Sequence, residues 1–349
     1  MKTPTVTKPF APSPGLRMLA TVMDAYKQVF VAGAGAPLLS PPNPVRRSGF
    51  DLNLVVDAIA AEAVDVLSFT LRAADDAALP AWRPGAHLDV FLPSGEQRQY
   101  SLCGDPADLS SYRIAVRRIA NGDGGSIEMH RLRPGDPLRA RGPRNAFTFI
   151  EAPSYLFLAG GIGITPILPM VKAAGARGRL IYLGRSRATM PFLDELPEAE
   201  IRPDDEAGVP DIAELIGRAE PGAAVYVCGP PPVLAAAQRT MFAVNPTGSL
   251  HTERFSALPV SGGREFDLRL ARTGRTIRVG ADQTALAAIR NVIPDVVYSC
   301  RQGFCGTCKT RVLAGAVDHR DRTLPESERD GHMLTCVSRA ADDALVLDL

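Results

Sequence analysis

The sequence predicts a multidomain protein of class β + α/β + α+β, built from an antiparallel β-barrel, a parallel-sheet α/β domain and a small mixed domain. Residues 50–150 contain short strand-like segments separated by Pro-Gly and Ser-Gly turns, which favours a closed antiparallel barrel. Residues 151–250 alternate buried strands with helical runs, as in parallel sheets. Residues 264–349 carry two strands, a helix and then a cysteine-rich loop.

Composition excludes several classes of protein. With 349 residues, 46% of them apolar, the chain is globular and too long for one typical domain. The formal net charge of +1 gives no basic field for nucleic acid. Two of the six cysteines, Cys103 and Cys228, lie in apolar segments and are expected to be plain buried thiols. Free thiols without a secretory signal favour a cytoplasmic location.

Residues 1–48 are predicted to be an N-terminal extension and linker. Apolar residues recur at helical spacing from 19 to 30, which predicts an amphipathic helix that packs on its own molecule or on a partner. Charges and glycines interrupt the apolar stretch 16–39, so no integral membrane segment is expected. The proline-rich stretch 37–48 predicts an extended linker.

The barrel region, residues 49–150, contains a candidate phosphate-binding pattern. Its predicted strands are 52–56, 66–71, 87–92 and 112–117. Arg98 and Tyr100 share one face of a strand, where an arginine fork suits a phosphate and a phenol suits a flat ring, with Ser101 as a small donor. Gly124-Gly125-Ser126 precedes a helix-like stretch, whose N–H groups attract phosphate. By composition alone, an Arg/Tyr pair on a strand more often marks an ordinary surface strand.

The α/β region, residues 151–256, opens with a strand, a glycine loop and a helix, which is a nucleotide-binding arrangement. Gly161 and Gly163 would let a pyrophosphate approach the backbone, while Thr165 would cap the helix with Pro166 in its first turn. The spacing is not G-x-G-x-x-G, and glycines that merely turn the chain are the alternative.

Further strands are predicted at 179–184 and 224–228, with a helical piece from Phe192 and a helix through Met241. Ligands bind at the carboxyl ends of parallel strands. Two groups of residues follow such ends in the sequence, namely Arg185 with Ser186 and Gly229 with Pro230. The arginines Arg185 and Arg187 would contact an adenosine phosphate or only solvent.

A cysteine constellation marks the third region, residues 264–349. Cys300, Cys305, Cys308 and the distant Cys336 have the C-x4-C-x2-C…C spacing of a plant-type 2Fe–2S cluster, and glycines 303 and 306 suit a tight loop. Zinc and disulfides are the alternatives, although only one C-x2-C pair is present. A hairpin of 266–270 with 276–279, then a helix after residue 284, precedes this loop in the order of a β-grasp ferredoxin.

Three segments, 298–311, 318–321 and 334–340, resemble the ferredoxin domain of the phthalate dioxygenase reductase family. The resemblance implies FMN in the barrel, with FAD as the alternative, and NADH at the glycine loops, with NADPH left open. The implied flavin contacts are Arg98, Tyr100, Ser101, Leu102, Ala115, Val116, Arg117, Gly124, Gly125 and Ser126. The implied nucleotide contacts are Gly161, Gly163, Thr165, Pro166, Arg185, Ser186, Cys228, Gly229 and Pro230.

The resemblance also places Glu253 and Phe255 near the flavin ring and Cys228 near the nicotinamide, although Phe255 and Cys228 would equally suit a core. His251 is expected to be a turn residue rather than a proton donor. The four cysteines would be the cluster ligands.

The implied activity is that of an NADH-dependent reductase component of an oxygenase system. Hydride would pass from NADH to FMN, and single electrons would leave through the 2Fe–2S cluster near residues 303–304 to a separate oxygenase. A Rieske-type mono- or dioxygenase, such as an O-demethylase or aromatic-ring hydroxylating enzyme, is the expected acceptor. A cytochrome P450 or diiron oxygenase is the alternative, and an electron carrier without reductase activity is the alternative of another class. The protein is expected to be a monomer.

Overall fold

The computed structural model describes residues 15, 18, 50–122, 124–294, 296–321 and 323–349. Three main sheets follow one another along this part of the chain. The predicted helix over 19–30 and the linker over 37–48 lie outside the described residues. No helix in the described part of the chain combines the length and apolarity needed to cross a membrane.

The first sheet is antiparallel and has the strand order β4-β3-β6-β1-β2-β5. Its strands are β1 Phe50–Ala63, β2 Val66–Ala73, β3 Ala86–Phe91, β4 Gln97–Ser101, β5 Tyr112–Arg117 and β6 Pro137–Asn145. A bridge between Leu102 and Ile114 joins the two edges, so the sheet closes into a barrel. A short helix, α1 Gly125–Met129, follows β5. Apolar residues from the strands fill the interior, with Leu102 from just beyond β4, and the partly buried Tyr100 of β4 packs against them.

The second sheet is parallel and has the strand order β11-β10-β7-β8-β9. Its elements are β7 Tyr155–Gly160, α2 Ile164–Ala174, β8 Gly178–Gly184, β9 Glu200–Pro203, α3 Asp204–Ala207, α4 Ile212–Gly217, β10 Ala224–Cys228, α5 Pro231–Val244 and β11 Ser249–Glu253. Helix α2 covers one face of the sheet, and α4 and α5 cover the other. The strand order reverses between β7 and β10, which is where such sheets bind ligands.

The third sheet is mixed and has the order β13-β12-β18-β14-β16, with a two-stranded ribbon of β15 and β17 beside it. Its elements are β12 Phe266–Leu270, β13 Thr276–Val279, α6 Ala285–Arg290, β14 Lys309–Ala314, β15 Val317–Asp318, α7 Glu326–Arg329, β16 His332–Leu334, β17 Arg339–Ala340 and β18 Ala344–Leu347. Thr284 caps α6, since its hydroxyl accepts a hydrogen bond from the Ala287 N–H at 3.1 Å. Helix α6 packs on the sheet.

The predicted fold class and strand positions are confirmed, while three local predictions are wrong. Thr165 lies inside α2, where its hydroxyl donates to the Ile162 carbonyl at 3.0 Å, and Gly163 occupies the cap position. Phe192 precedes only a three-residue 3-10 turn, because its own backbone is left-handed with φ of 64°. His251 lies in strand β11 and stacks on Tyr226 at 4.6 Å rather than forming a turn.

Candidate functional site

Strand β4 presents a different partner on each face. Alternate residues of a strand point in opposite directions. Arg98 and Tyr100 share one face, as predicted. Gln97 and Gln99 point the other way, toward the segment that precedes the cysteine loop. Gln97 donates to the Tyr298 carbonyl at 3.0 Å, and Gln99 donates to the Ser299 hydroxyl at 2.8 Å. The strand predicted to bind phosphate therefore also contacts the cysteine loop.

The two predicted phosphate-binding elements of the barrel come together in the structure. A Cβ placed on Gly125 would lie 2.5 Å from Nε of Arg98, so the arginine packs directly over the start of α1. Arg98 also pairs with Glu96 at 2.7 Å, and this pairing lowers the pKa of Glu96. The Ser126 hydroxyl accepts a hydrogen bond from the Ile119 N–H at 3.0 Å. Because α1 has only five residues, the guanidinium rather than a helix dipole is the main positive group here.

The remaining predicted flavin contacts divide into core and surface residues. Leu102, Ala115 and Val116 are buried, and Leu102 and Val116 belong to the barrel core. Arg117 reaches toward the second domain, since its Nη1 lies 3.8 Å from a Cβ placed on Gly161. Gly124 has a left-handed backbone with φ of 82°, which explains a glycine before α1. The barrel thus meets the glycine loop of the parallel sheet through Arg117.

The two glycine loops pack on each other where the strand order reverses. A Cβ on Gly163 would lie 2.3 Å from the Cys228 carbonyl, and a Cβ on Gly160 would lie 2.7 Å from Cδ of Pro230. Gly161 has φ of 55°. The glycines after β7 are therefore required for close approach to the loop after β10 as well as for any ligand. Thr165 and Pro166 lie buried in the first turn of α2.

An unsatisfied carboxyl group marks the junction of barrel and parallel sheet. Glu253 at the end of β11 pairs in register with Cys228 and shares a hydrogen bond with the Ser101 side chain. Its Oε2 atom is buried without a hydrogen-bond partner among the described residues. Burial raises the pKa of Glu253 to about 8 and raises the pKa of the Cys228 thiol. Phe255 is 48% exposed beside them, so its ring is available to stack on a ligand.

The carboxyl ends of β8 and β9 carry both basic and acidic side chains. Arg187 makes a two-pronged ion pair with Glu206, with Nε to carboxylate distances of 2.9 and 3.2 Å. The Arg185 carbonyl accepts the Asp205 N–H at 3.2 Å. The Ser186 and Thr189 hydroxyls lie 3.4 Å apart. No motif in the sequence indicates these acidic residues, and Glu206 binds one of the two arginines predicted to contact either an adenosine phosphate or solvent.

The cysteine loop has the geometry expected for sulfur ligands. Cys300, Cys308 and Cys336 are buried and Cys305 is half-buried. The pKa of the Cys300 thiol is lowered, chiefly because the thiols of Cys305 and Cys336 are within hydrogen-bonding reach of its sulfur. The Gln302 N–H also donates to this sulfur at 3.3 Å. The converging thiols and sulfur-directed N–H group fit a cluster.

Positive φ angles close this loop. Gly303 and Gly306 have φ of 79° and 70°, which confirms the predicted need for glycine, and Arg301 adopts φ of 53° without one. Asp321 is buried and its carboxylate accepts N–H bonds from Thr323 and Leu324 at 3.1 and 2.7 Å, so it serves loop structure. No set of three or more His, Cys, Asp and Glu side chains in the described ranges is arranged to hold a single metal ion.

Comparisons with known proteins agree with this arrangement. Residues 268–341 match the sequence profile of a 2Fe-2S iron-sulfur cluster binding domain. The chain is 37% identical over 301 residues to phthalate dioxygenase reductase from Burkholderia cepacia, covering 82% of this chain and 93% of that protein. This chain belongs to the phthalate dioxygenase reductase family. Members of this family are oxidoreductases that serve as reductase components of oxygenase systems.

Solved structures show that most of this chain has the fold of phthalate dioxygenase reductase. A structure of phthalate dioxygenase reductase, described as modular for electron transfer from pyridine nucleotides to 2Fe-2S, matches with a TM-score of 0.65 and 36% identity. It covers 86% of this chain and 98% of that one. An intact type IV self-sufficient cytochrome P450 monooxygenase matches with a TM-score of 0.67 and 38% identity. That match covers 90% of this chain but only 44% of the P450 chain.

Proposed function

We propose that the protein is an NADH-dependent reductase that passes electrons through FMN and a 2Fe–2S cluster to a separate oxygenase component. The observation that carries this proposal is the convergence of three sites on strand β4. Ser101 at the end of β4 meets Glu253 of the nucleotide domain, Arg98 meets the Gly125 turn, and Gln99 meets the cysteine loop. A hydride donor, a flavin and a one-electron cluster would therefore be neighbours.

The barrel fits a flavin phosphate at Arg98 with Gly125 and Ser126, and a ring beside Tyr100 and Ser101. The unpartnered Oε2 of Glu253 supplies a polar group at the ring end of this site. A bound flavin converts a two-electron hydride into two single-electron transfers. The domain order with the ferredoxin last favours FMN, with FAD as the alternative.

The nucleotide is assigned to the reversal point of the parallel sheet, with Gly161, Gly163, Thr165 and Pro166 at one strand end and Cys228, Gly229 and Pro230 at the other. Arg185 and Ser186 would hold the adenosine end. The Arg187–Glu206 ion pair supports NADH, because an arginine that already pairs with a carboxylate is less available to a 2′-phosphate. The neighbouring acidic side chains of α3 also repel that phosphate.

The cysteines 300, 305, 308 and 336 are proposed as the cluster ligands. The acceptor is proposed to be a Rieske-type oxygenase that approaches the cluster near Phe304, which is 36% exposed. A cytochrome P450 is the second candidate, because 90% of this chain matches 44% of the chain of a self-sufficient P450 monooxygenase. We further propose a cytoplasmic monomer with domains at 49–150, 151–256 and 264–349.

Anaerobic titration with NADH and with NADPH tests this proposal. The flavin released from the purified protein is identified by chromatography, while visible absorption and EPR follow the reduced cluster. We expect FMN, reduction by NADH, and a rhombic one-electron iron signal. A flavin-free protein, or one whose flavin is not reduced by either nucleotide, would leave only the electron-carrier alternative. Purified Rieske, P450 and diiron acceptors then distinguish the partner classes.

A further inference from the structure

A buried polar network joins the barrel to the cysteine loop, and only its Gln99–Ser299 contact enters the proposed function. Its members are Asp89 of β3, Gln99 of β4, Arg144 of β6, and Ser299 and Thr307 of the loop. Asp89 and Arg144 form an ion pair at 2.6 Å, with side chains only 1% and 6% exposed. We call these five residues the barrel–loop network.

The bonds of the network converge on one carboxylate. Asp89 Oδ1 accepts hydrogen bonds from the Ser299 hydroxyl at 2.8 Å and from the Gln99 amide at 3.0 Å. Gln99 also donates to the Ser299 hydroxyl at 2.8 Å. On the other side, Arg144 donates to the Thr307 hydroxyl at 3.3 Å. Two barrel charges thus hold two separate points of the loop.

The two loop residues are adjacent to proposed cluster ligands. Ser299 immediately precedes Cys300, and Thr307 immediately precedes Cys308. Anchoring the neighbouring residues fixes the backbone from which both thiols extend. Gln302 adds a third anchor at the nucleotide domain, because its amide donates to the Arg254 carbonyl at 2.6 Å.

A buried ion pair is a poor device for stability alone, since desolvation of both charges offsets most of their attraction. Such pairs are better explained where they select one arrangement over others, because every bond is lost when the two surfaces shift. Here the arrangement selected is the position of the cysteine loop on the face of β4 opposite to Arg98 and Tyr100.

We propose that Asp89, paired with Arg144, is a positioning residue that holds the cysteine loop at a fixed distance from the flavin site. The proposal rests on the proposed function of the two sites as flavin and cluster sites. Electron transfer between them weakens steeply with distance, so a loop held at two points keeps this step fast. Asp89 itself contacts neither the nucleotide site nor a thiol in the bonds described above.

The test compares Asp89→Asn and Ser299→Ala with a matched surface control, Asp57→Asn, whose ion pair with Arg72 is exposed on the same barrel. The first readout is amide hydrogen exchange of peptides spanning 296–308, which needs no turnover. We expect exchange in this loop to rise about 10-fold in S299A, the effect of one buried hydrogen bond to a charged group, and more in D89N. D57N should match wild type.

The second readout is single-turnover reduction by NADH, with flavin and cluster followed separately. We expect flavin reduction to stay within about 2-fold of wild type and cluster reduction to slow by more than that factor in S299A, because a loop that has lost an anchoring hydrogen bond is no longer held at a fixed distance from the flavin site. If D89N does not fold, the double variant Asp89→Leu with Arg144→Met replaces the ion pair by apolar side chains and should show the same two defects.

The outcomes distinguish failure of the positioning role of Asp89 from failure of the proposed reductase function. Wild-type exchange and wild-type cluster reduction in S299A and in the folded Asp89 variant would overturn the positioning role. A wild-type protein whose cluster is not reduced by NADH would instead refute the proposed function, while loop exchange would still report whether the network holds the loop.

Discussion

The barrel joins its two neighbours by opposite means. It meets the nucleotide domain through a continuous apolar core, in which Val66, Cys103 and Ala115 of the barrel belong to one cluster with Met190 and Phe192. It meets the cysteine loop through the barrel–loop network of charged and hydrogen-bonding groups. Apolar burial is non-directional, whereas a hydrogen-bond network is satisfied in one orientation only.

The ion pairs at the two junctions also differ, because the pair at the nucleotide junction is partly exposed and the pair at the cysteine loop is buried. At the nucleotide junction, Arg113 pairs with Glu195 at 2.7 Å while stacking over the Phe192 ring, and Lys172 reaches the same carboxylate. The Arg113 and Glu195 side chains are 25% and 29% exposed, in contrast to the Asp89 and Arg144 pair. Partly hydrated pairs can break and re-form at little cost.

This contrast matches what has to cross each junction. In the proposed function, a dinucleotide enters and leaves beside the parallel-sheet domain, so a junction that shifts slightly without losing specific bonds suits that side. Only electrons cross to the cysteine loop, so a junction that permits one position suits that side. The following variants test this difference between an adaptable and a fixed junction.

The largest expected effect comes from removing one proposed ligand, Cys308→Ser. We expect loss of the cluster and a fall in electron delivery to a protein acceptor of more than about 100-fold, since changes even beyond the ligands cost 10–100-fold. Flavin reduction by NADH should remain. Iron content, EPR and stopped-flow absorption measure these separately. The control is Cys103→Ser, because Cys103 is a buried thiol that donates to the Arg113 carbonyl and a serine hydroxyl can make the same bond. Retained iron in C308S would contradict the assignment of Cys308 as a ligand.

The second effect is a pH dependence carried by Glu253. Its pKa is raised from 4.5 to about 8 by burial, so the folded protein holds a proton that the unfolded chain has released between these values. The free energy of unfolding therefore falls as pH rises through this window. Glu253→Gln should remove that fall, giving a gain on the order of 5 kcal/mol over wild type at pH 9 and little difference at pH 4.

Urea unfolding of flavin-free protein at both pH values measures this effect, and Glu195→Gln is the opposing control. Burial raises the pKa of Glu195, but hydrogen bonds from Arg113 and Lys172 together lower it by more than burial raises it. The pKa of Glu195 is therefore below its usual value. Its contribution is therefore present at neutral pH and lost as pH falls below about 4.5. A parallel pH response in E253Q and wild type would refute the buried-proton assignment.

Much of the fold and of the candidate site can be predicted from the sequence, because these features depend on residues that are close together in the chain. The cysteine spacing and the glycines 303 and 306 follow from local backbone requirements, and the Thr284 cap and the strand positions follow from pattern. The alternation of β4 predicts that Arg98 and Tyr100 lie together. The same alternation places Gln97 and Gln99 on the opposite face, where no local motif indicates a partner.

The remainder depends on contacts between distant segments. Asp89 and Ser299 are 210 residues apart, so no local pattern pairs them. Phe192 and Arg301 adopt left-handed backbones without glycine, because tertiary contacts override propensity there. Glu253 was expected near the flavin ring only by resemblance; its buried, unpaired oxygen is visible only in the fold.

A smaller effect is expected at the adaptable junction itself. Arg113→Met keeps an apolar stem over Phe192 and leaves Glu195 with Lys172. It removes the ion pair with Glu195 and the hydrogen bond from Arg113 to the Cys103 carbonyl. We expect the free energy of unfolding to fall by about 1 kcal/mol, with hydride transfer and cysteine-loop exchange unchanged. Equilibrium denaturation and hydrogen exchange measure this, with Arg72→Met as an exposed-pair control. Loosening of the cysteine loop in R113M would show that the two junctions are not independent.

The smallest effect concerns the nucleotide itself. Glu206→Gln removes the negative charge that pairs with Arg187. The Arg187 guanidinium is then available to a ligand at the carboxyl end of β8, beside the remaining acidic residues of α3. Because an exposed pair is worth about 0.2–1 kcal/mol, kcat/KM for NADPH should rise about 2- to 5-fold while that for NADH stays constant. Steady-state reduction of a dye by each nucleotide measures the ratio. Glu214→Gln, which breaks a comparable pair with Arg218 on α4, is the matched control. An unchanged ratio in E206Q would place the adenosine ribose away from Arg187 and leave nucleotide preference to Arg185.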